Sequence, residues 1–370
     1  MLASIRRVVA AGLVLGLMAG GASSARALDL YVNNDLGDDN GNGRTPTFED
    51  GEGSPVRTIN RALRLAGRGD RIIIANTGKP YRECLSLSAP WAGGVSVAPM
   101  HIEANGATLD GSRPIPSRAW AHFKGEIYRY RPQKLTYPML FQDGRPVERV
   151  LTDAKTTEIP ALAPGQWCSF KGDVYFSIDV GKTIEDYALF EPGHDVGITL
   201  YRCEHIIISD LVVQGFRLDG INCNEGVFDA LLLGITCRGN GRCGLFVGGA
   251  SKVEVRATVL GDNGQGKETL DSAQLIAQDY SVTVLDDCEL LDNTAPAMIK
   301  GEHARVEVKA PVDEKDAAPV EKEAFKAIRA QPVAFSKRHW PDEREIRSQP
   351  IPFEPMHHGR PAGQCCPQRN

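Results

Sequence analysis

HIIISDLVVQGFRLDGINCNEGVFDALLLGITCRGNGRCGLFV, residues 205–247, repeats itself. Ile206-Ile207-Ile208 opens one segment, and Ala230-Leu231-Leu232 opens the next 24 residues later. Carried outward, the same opening recurs at Val253-Glu254-Val255 after 23 residues, at Val282-Thr283-Val284 after 29, and at Val306-Glu307-Val308 after 24. The second halves agree. Leu211, Ile235, Val259 and Cys288 fall in one column, and Val213, Cys237, Gly261 and Leu290 in the next. Asn240-Gly241, Asn263-Gly264 and Asp292-Asn293 mark the corners. Short β runs with Gly and Asn corners at a period near 24 are the pattern of a β-solenoid. One such coil cannot bury its apolar side alone. Stacked coils can, because their strands pair about 4.8 Å apart and like residues form interior ladders. Ile208, Leu232, Val255 and Val284 are the expected ladder. The 29-residue unit implies about five extra residues in a loop near Gly264 to Asp271.

Upstream, Leu28 to Val32 reads as a short strand, followed by a loop rich in Asp, Asn and Gly. Ile59, Ala62, Leu63 and Ala66 recur at i, i+3, i+4 and i+7, one face of a short helix. An open coil end exposes unpaired backbone, and this helix is placed to cap it. Residues 112–200 break the period and carry Trp120, Tyr128, Tyr130, Tyr137, Phe141, Trp167, Tyr175 and Phe176 between Gly turns. They read as a β-rich insertion. The expected organisation is thus a cap and first coils over 28–111, the insertion over 112–200, further coils over 201–310, and a tail over 311–370. The tail is charged and Pro-rich, with one short helical pattern around Glu321 to Arg329, and reads as largely disordered.

The first 27 residues carry Arg6-Arg7, an apolar run from Val8 to Ala22, and Ala25-Arg26-Ala27. This succession is that of a secretory signal peptide cleaved near Ala27, so the protein is expected outside the cell or in its envelope. The run is short and Gly-rich for a membrane anchor. Its removal takes away three arginines and no acid, moving the formal charge from −5 to −8. That balance argues against nucleic acid or an anionic membrane as partner. A polysaccharide or other glycan fits better, with the chain as a monomer. The nine cysteines include no CxxC pair and no zinc-like spacing with His.

Residues 30–87 resemble the opening of many bacterial right-handed parallel β-helix proteins of the pectate-lyase-like superfamily. The residues that carry the resemblance are Tyr31-Val32, Gly37-Asp38-Asp39, Thr58-Ile59 with Ala62-Leu63, Gly69-Asp70 with Ile72, and Tyr81 with Glu83. Ala104-Asn105-Gly106-Ala107 and Asp110-Gly111 extend it. The insertion is similar to one in some β-helix glycoside hydrolases, through the Gly125–Tyr128 strand, the Phe141–Gly144 turn and the Gly172–Tyr175 strand. The resemblance implies an all-β right-handed parallel β-helix and a polysaccharide-cleaving activity, glycosidase or lyase. The chain lacks the Asn-Thr-Asp, Gly-His-Gly and Arg-x-Lys motifs of polygalacturonases and pectate lyases.

Glycosidic cleavage takes two carboxylates across the bond, or a base and a cation beside an acidic sugar. On a solenoid such groups come from equivalent edges of successive coils. Aligning Ile221, Leu245, Leu275 and Ile299 brings Asp219, Arg242, Asp271 and Lys300 to one edge, with Lys267 and Glu268 on the enlarged loop. Asp219, Arg242 and Asp271 are the candidate catalytic set, and Lys267, Glu268 and Lys300 the candidate substrate-binding set. The bland alternative is a row of solvated corner charges. Asp35, Asp38, Asp39, Asn40 and Asn42 could ligate calcium or simply form an Asx-rich turn; no EF-hand spacing is present, and no metal site is assigned. His194 and His205 read as hydrogen-bonded structural groups. Trp120, Trp167 and Tyr128 could stack on sugars, or form the insertion's own core. Three function classes follow: a carbohydrate-cleaving enzyme, a non-catalytic carbohydrate-binding protein, and a structural envelope protein on the same scaffold.

Overall fold

A computed structural model describes residues 27–48, 53–152, 155–264 and 271–309. The expected signal sequence over residues 1–26, the 311–370 tail, and Lys267 and Glu268 lie outside the described residues. The chain is an all-β parallel β-solenoid. Its long ladder runs through Asp29–Val32, Arg71–Ile74, Met100–Asp110, Glu204–Gln214, Phe228–Leu233, Lys252–Arg256, Val282–Asp286 and Arg305–Val308, each parallel to the next. A second ladder stacks Leu85–Ser88, Ile198–Tyr201, Asp219–Asn224, Cys243–Val247, Ala273–Ala277 and Met298–Lys300.

The core is built in columns. Leu30, Ile72, Ile102, Ile208, Leu232, Val255 and Leu285 stack through seven coils, and all are buried. Burying one such aliphatic side chain stabilises by about 1.5–3 kcal/mol, so the repeat itself is the main source of cohesion. The expected ladder needs a correction at its end. Leu285, and not Val284, occupies the column; Val284 pairs with Glu254 on the outer face. The enlarged unit is 30 residues at this level, one more than the apolar pattern suggested, since Val253 pairs with Thr283. Alternation has period two, so a one-residue slip exchanges the faces. Valines 282 and 284 read as inward because Thr283 between them is polar, yet Thr283 is the fully buried residue. Three more columns shift likewise. Val259 pairs with Thr236 and Glu289, and so leaves the column of Ile235 and Cys288. Leu260 stands where Gly261 was aligned, and Met298 where Ile299 was.

Polar groups inside the coils are also stacked. Asn240 donates from Nδ2 to Asn263 Oδ1 (2.9 Å), and Asn263 donates to Gln274 Oε1 (2.9 Å). All three are fully buried. Each donor or acceptor left unmade there would cost about 1–3 kcal/mol, so the ladder must be complete. Gly220 gives it room, as a Cβ there would lie 2.8 Å from Asn240 Nδ2 and 2.7 Å from the Gly244 carbonyl.

Near the chain start, Ile59–Leu65 is helical because Thr58 accepts from the Arg61 amide and the Glu83 carboxylate accepts from the amides of Ile59 and Asn60. Ile59 and Ala62 join the coil core. Asp39 accepts from the amides of Arg57 and Thr58 and from the Thr58 hydroxyl, which makes that loop a brace for the helix. None of the seven described cysteines forms a disulfide.

Between Asp110 and Ile198 the chain leaves the coils without breaking the ladder, since Met100–Asp110 pairs directly with Glu204–Gln214. It forms two antiparallel four-stranded sheets. One holds Ala121–Lys124, Ile127–Tyr130, Trp167–Phe170 and Asp173–Ser177. The other holds Ser112–Pro114, Phe141–Gln142, Arg145–Pro146 and Leu189–Pro192. Trp120, Leu140, Trp167, Val174 and Phe176 make a core separate from that of the coils.

Candidate functional site

The segment 130–141 crosses the coil edge on its way between the two antiparallel sheets. Tyr137 seats it there. Its backbone lies on Gly241, where an added Cβ would come within 2.9 Å of the Tyr137 carbonyl oxygen and Cβ. Tyr137 itself sits at φ 47°, a conformation that L side chains seldom adopt and that persists only where surroundings hold it. Its hydroxyl donates to Asp271 Oδ2. Sequence periodicity could not place this contact, because one partner belongs to a region without a period.

Beside Tyr137 lies a narrow, open cleft, lined among others by Arg113, Tyr130, Lys134, Tyr137, Glu191 and Arg217. Glu191 is nearly buried. Its Oε1 accepts from Arg113 Nε (3.0 Å), Arg113 Nη2 (2.6 Å) and the Tyr130 hydroxyl (2.9 Å). Asp195 at the rim pairs with Lys134 Nζ (2.9 Å) and with Arg217, whose other amino group donates to the Pro192 carbonyl (3.0 Å). Arg217 is buried to 6 % exposure, so its charge faces the cleft through little water.

Several perturbed groups line or border this space. Burial, together with the carboxylates Glu191 and Asp271 respectively, pushes the phenols of Tyr130 and Tyr137 up to about 12. They remain hydroxyl donors at any physiological pH. The Lys134 ammonium is pushed down by burial and then by the positive charges of Arg217 and Arg113. His194 is pushed down by burial and by the same two guanidiniums, which favours its neutral form.

Of the residues expected from the repeat, Asp219 and Arg242 meet directly. Arg242 Nε and Nη2 donate to the two Asp219 oxygens at 2.7 and 2.5 Å. Asn222 and the Cys243 thiol complete the shell at 2.7 and 3.1 Å. Burial lowers the Arg242 pKa, but the hydrogen bonds and charge of Asp219 outweigh it, and the net shift is upward. The guanidinium also lies 4.8 Å over the Phe246 ring. Asp219 is fully buried, so it meets no solvent in this arrangement. Asp271 joins the set through Tyr137, whose ionisation feels Asp271, Arg242 and Asp219 together. Lys300 does not share this edge. It pairs with Ala277, four residues along the strand from the level of Ala273, Cys243 and Asp219, about 13 Å away, and donates to the Ala304 carbonyl (3.1 Å). Tyr130, Lys134, Tyr137, Glu191, Asp195 and Arg217 were not singled out from the sequence. Only the two coil residues carried a usable signal there. Asp195 and Arg217 precede Ile198 and Ile221, which pair as one interior column with Leu245. No group of three His, Cys, Asp or Glu among the described residues could hold a metal ion.

No protein-family model and no curated protein sequence matches the chain. Solved structures do. A glycoside hydrolase aligns with TM-score 0.52 at 11% identity, covering 71% of this chain and 73% of that one. XylC in complex with xylose aligns with TM-score 0.47 at 13% identity, covering 70% of this chain, which spans 58% of XylC. Pectate lyase Pel9A aligns with TM-score 0.29 at 10% identity, covering 70% and 61%. At these identities the likeness is one of fold, a parallel β-helix.

Proposed function

We propose that the protein is an exported carbohydrate-active β-helix protein that cleaves a glycosidic bond of an acidic polysaccharide in the cleft beside Tyr137. One observation carries the reading. In a chain of net negative charge, the cleft is lined by Arg113, Lys134 and Arg217 against Glu191, with Asp195 at its rim, which leaves one positive charge in excess. A low-dielectric recess with surplus positive charge selects an anionic ligand.

The same groups favour elimination over hydrolysis. An inverting hydrolase needs two carboxylates free on either side of the bond. Asp219 is closed in its pair with Arg242, and Asp271 would stand alone. Elimination needs a cation on the sugar carboxylate, one base and one proton donor. Arg113 and Arg217 would neutralise the carboxylate, which acidifies the adjacent C–H. Lys134, with its lowered pKa, would accept that proton. The C–H electron pair would form the ring double bond as the glycosidic C–O bond breaks, and the Tyr137 phenol would protonate the departing oxygen. Tyr137 must first turn its one hydroxyl proton from Asp271 to the departing oxygen, and Asp219 holds Arg242 beside it. Lys134 must first release Asp195, which the sugar carboxylate can displace by taking Arg217.

The test is a panel of polyuronates and neutral polysaccharides with the mature chain, reading reducing ends and unsaturated ends together. Unsaturated ends from a polyuronate are expected. Lys134→Met and Tyr137→Phe should each lower turnover by roughly 10²–10⁴-fold, the usual range for a general acid or base. Reducing ends without unsaturation, or full turnover in Lys134→Met, would overturn the elimination reading. Non-catalytic binding is the second reading. It is favoured by the fact that Glu191, Asp195 and Asp219 are all already ion-paired.

A further inference from the structure

The second ladder has two ends. Strand Asp219–Asn224 starts at the candidate cleft and finishes at the opposite corner, where each coil turns from the second ladder to the long one. That corner carries exposed aromatic rings. Trp91 is 79% exposed, Tyr201 39%, Phe228 46% and Tyr280 70%. They come from different turns of the same corner. The Trp91 amide donates to Ser88, Ser88 pairs with Tyr201, Phe228 pairs with Glu204, and the Tyr280 amide donates to Gly249 one coil earlier. The intervening turn, Gly248 to Ser251, holds only small residues, leaving the row open there.

Exposed rings concentrated at one corner mark an interaction surface and not the ordinary scatter of surface apolar groups. The rings are also held in place. Arg202 lies 5.2 Å over the Tyr201 ring, and Tyr280 stacks on His303 at 4.9 Å with 5° between planes. The neighbouring charges balance one another, Arg68 with Glu204 (3.4 Å) and Arg202 with Glu225 (3.8 Å). A recess of about 360 Å³ lies among Arg68, Arg202, Glu204 and Phe228.

We propose that this corner is a carbohydrate-binding surface distinct from the cleft, taking an extended, uncharged polysaccharide laid across the coils. Three features select that occupant. Coils repeat at about 4.8 Å, close to the length of one hexopyranose in an extended chain, so a linear glycan stays in register with the turns. Aromatic rings offer flat apolar faces to the C–H faces of sugars. The locally paired charges complement a ligand without net charge, in contrast to the cationic cleft. The surface serves whether or not the cleft is catalytic.

Affinity electrophoresis of the exported chain through gels containing xylan, mannan, β-glucan or a polyuronate tests it. At least one neutral polysaccharide should retard the wild type and Lys134→Met equally, since Lys134 belongs to the cleft. Trp91→Ala and Tyr280→Ala should each weaken that retardation roughly two- to tenfold, and together by the product. Exposed as these rings are, the melting temperature should not move, which separates lost binding from lost fold. The proposal falls if no neutral polysaccharide retards the wild type, or if the double variant is retarded as strongly. It also falls if the wild type sediments as a dimer that the double variant dissolves, because the rings would then join two copies. Turnover of a short oligouronide by the double variant reports on the cleft independently.

Discussion

The coils and the antiparallel sheets of residues 112–192 hold their side chains by different means. In the coils a residue is fixed by its equivalents one coil above and below, so Leu232 lies between Ile208 and Val255. In the antiparallel sheets a residue is fixed by partners that no repeat relates to it, as Phe176 is by Tyr128 and Trp167. The first arrangement produces uniform edges on which charges pair and stay put, Asp219 with Arg242 being the example. The second carries a loop over such an edge and adds unlike groups to it. Function is expected where the two meet, and the cleft lies there.

The largest effects should come from attacking each core separately. Leu232→Asp puts an unpaired charge at 1% exposure among aliphatic neighbours. A loss of more than about 4 kcal/mol is expected, with no cooperative β-rich fold remaining by circular dichroism. Trp120→Ala empties the second core instead and should cost about 3–5 kcal/mol. Because that core is separate, calorimetry should then resolve two transitions, the antiparallel sheets melting first and the coils near their normal temperature. A single lowered transition would merge the two regions into one cooperative unit. A folded Leu232→Asp protein would sink the ladder.

How far the sequence could be read follows the same division. Columns of like residues expose a period, so strand positions from Ile206 to Arg256 were readable within a residue, and so was the juxtaposition of Asp219 with Arg242. Register slipped by one residue from Val259 onward, and beyond the enlarged loop valines outlined the wrong face. Nothing periodic joins Tyr137 to Asp271, 134 residues apart, or Tyr130 to Glu191, 61 apart. Those contacts depend on how an aperiodic loop lands on Gly241, and a single sequence holds no count of that. Asp219 shows a further limit. Spacing gave its place on the edge, but its burial depends on Arg242, Asn222 and Cys243 closing over it.

A smaller effect sharpens the register. Thr283 is fully buried between Val253 and Val306, and its hydroxyl has no partner. Thr283→Val keeps the shape and removes a buried polar group. It should stabilise by about 1 kcal/mol, raising the melting temperature by roughly 2–4 °C. Val284→Thr, on the outer face, should change stability by less than about 0.5 kcal/mol. If Val284 were the inward residue, the two results would exchange.

The smallest effect distinguishes a histidine of the coils from one at the junction. His101, on the outer face of the long ladder, bonds through Nε2 to the Ser209 hydroxyl at 2.8 Å. Burial lowers its pKa, Glu103 opposes that shift, and Arg71 adds to it. His194 is lowered by burial, then by Arg113 and Arg217. In each case the folded pKa lies below that of the unfolded chain, which is near 6.5. Above that pH both states hold neutral imidazole and the groups contribute nothing to the pH dependence. As pH falls through about 6.5 the unfolded chain takes the proton first, so stability declines until the folded pKa is passed. Glu83 and Asp210, raised by burial, act with the opposite sign: their contribution is full below the ordinary carboxylate range and is lost as pH rises through their folded pKa. Comparing variants with the wild type cancels that background. His101→Gln and His194→Gln should each flatten the fall in melting temperature between pH about 7.5 and about 5. Salt separates the two. The guanidinium part of the His194 shift is electrostatic and partly screened, whereas desolvation is not, so added salt should shrink the His194 contribution more than that of His101. Equal slopes in the wild type and the double variant would mean that neither histidine stays buried and neutral, and the junction would then be wetter than its ion pairs imply.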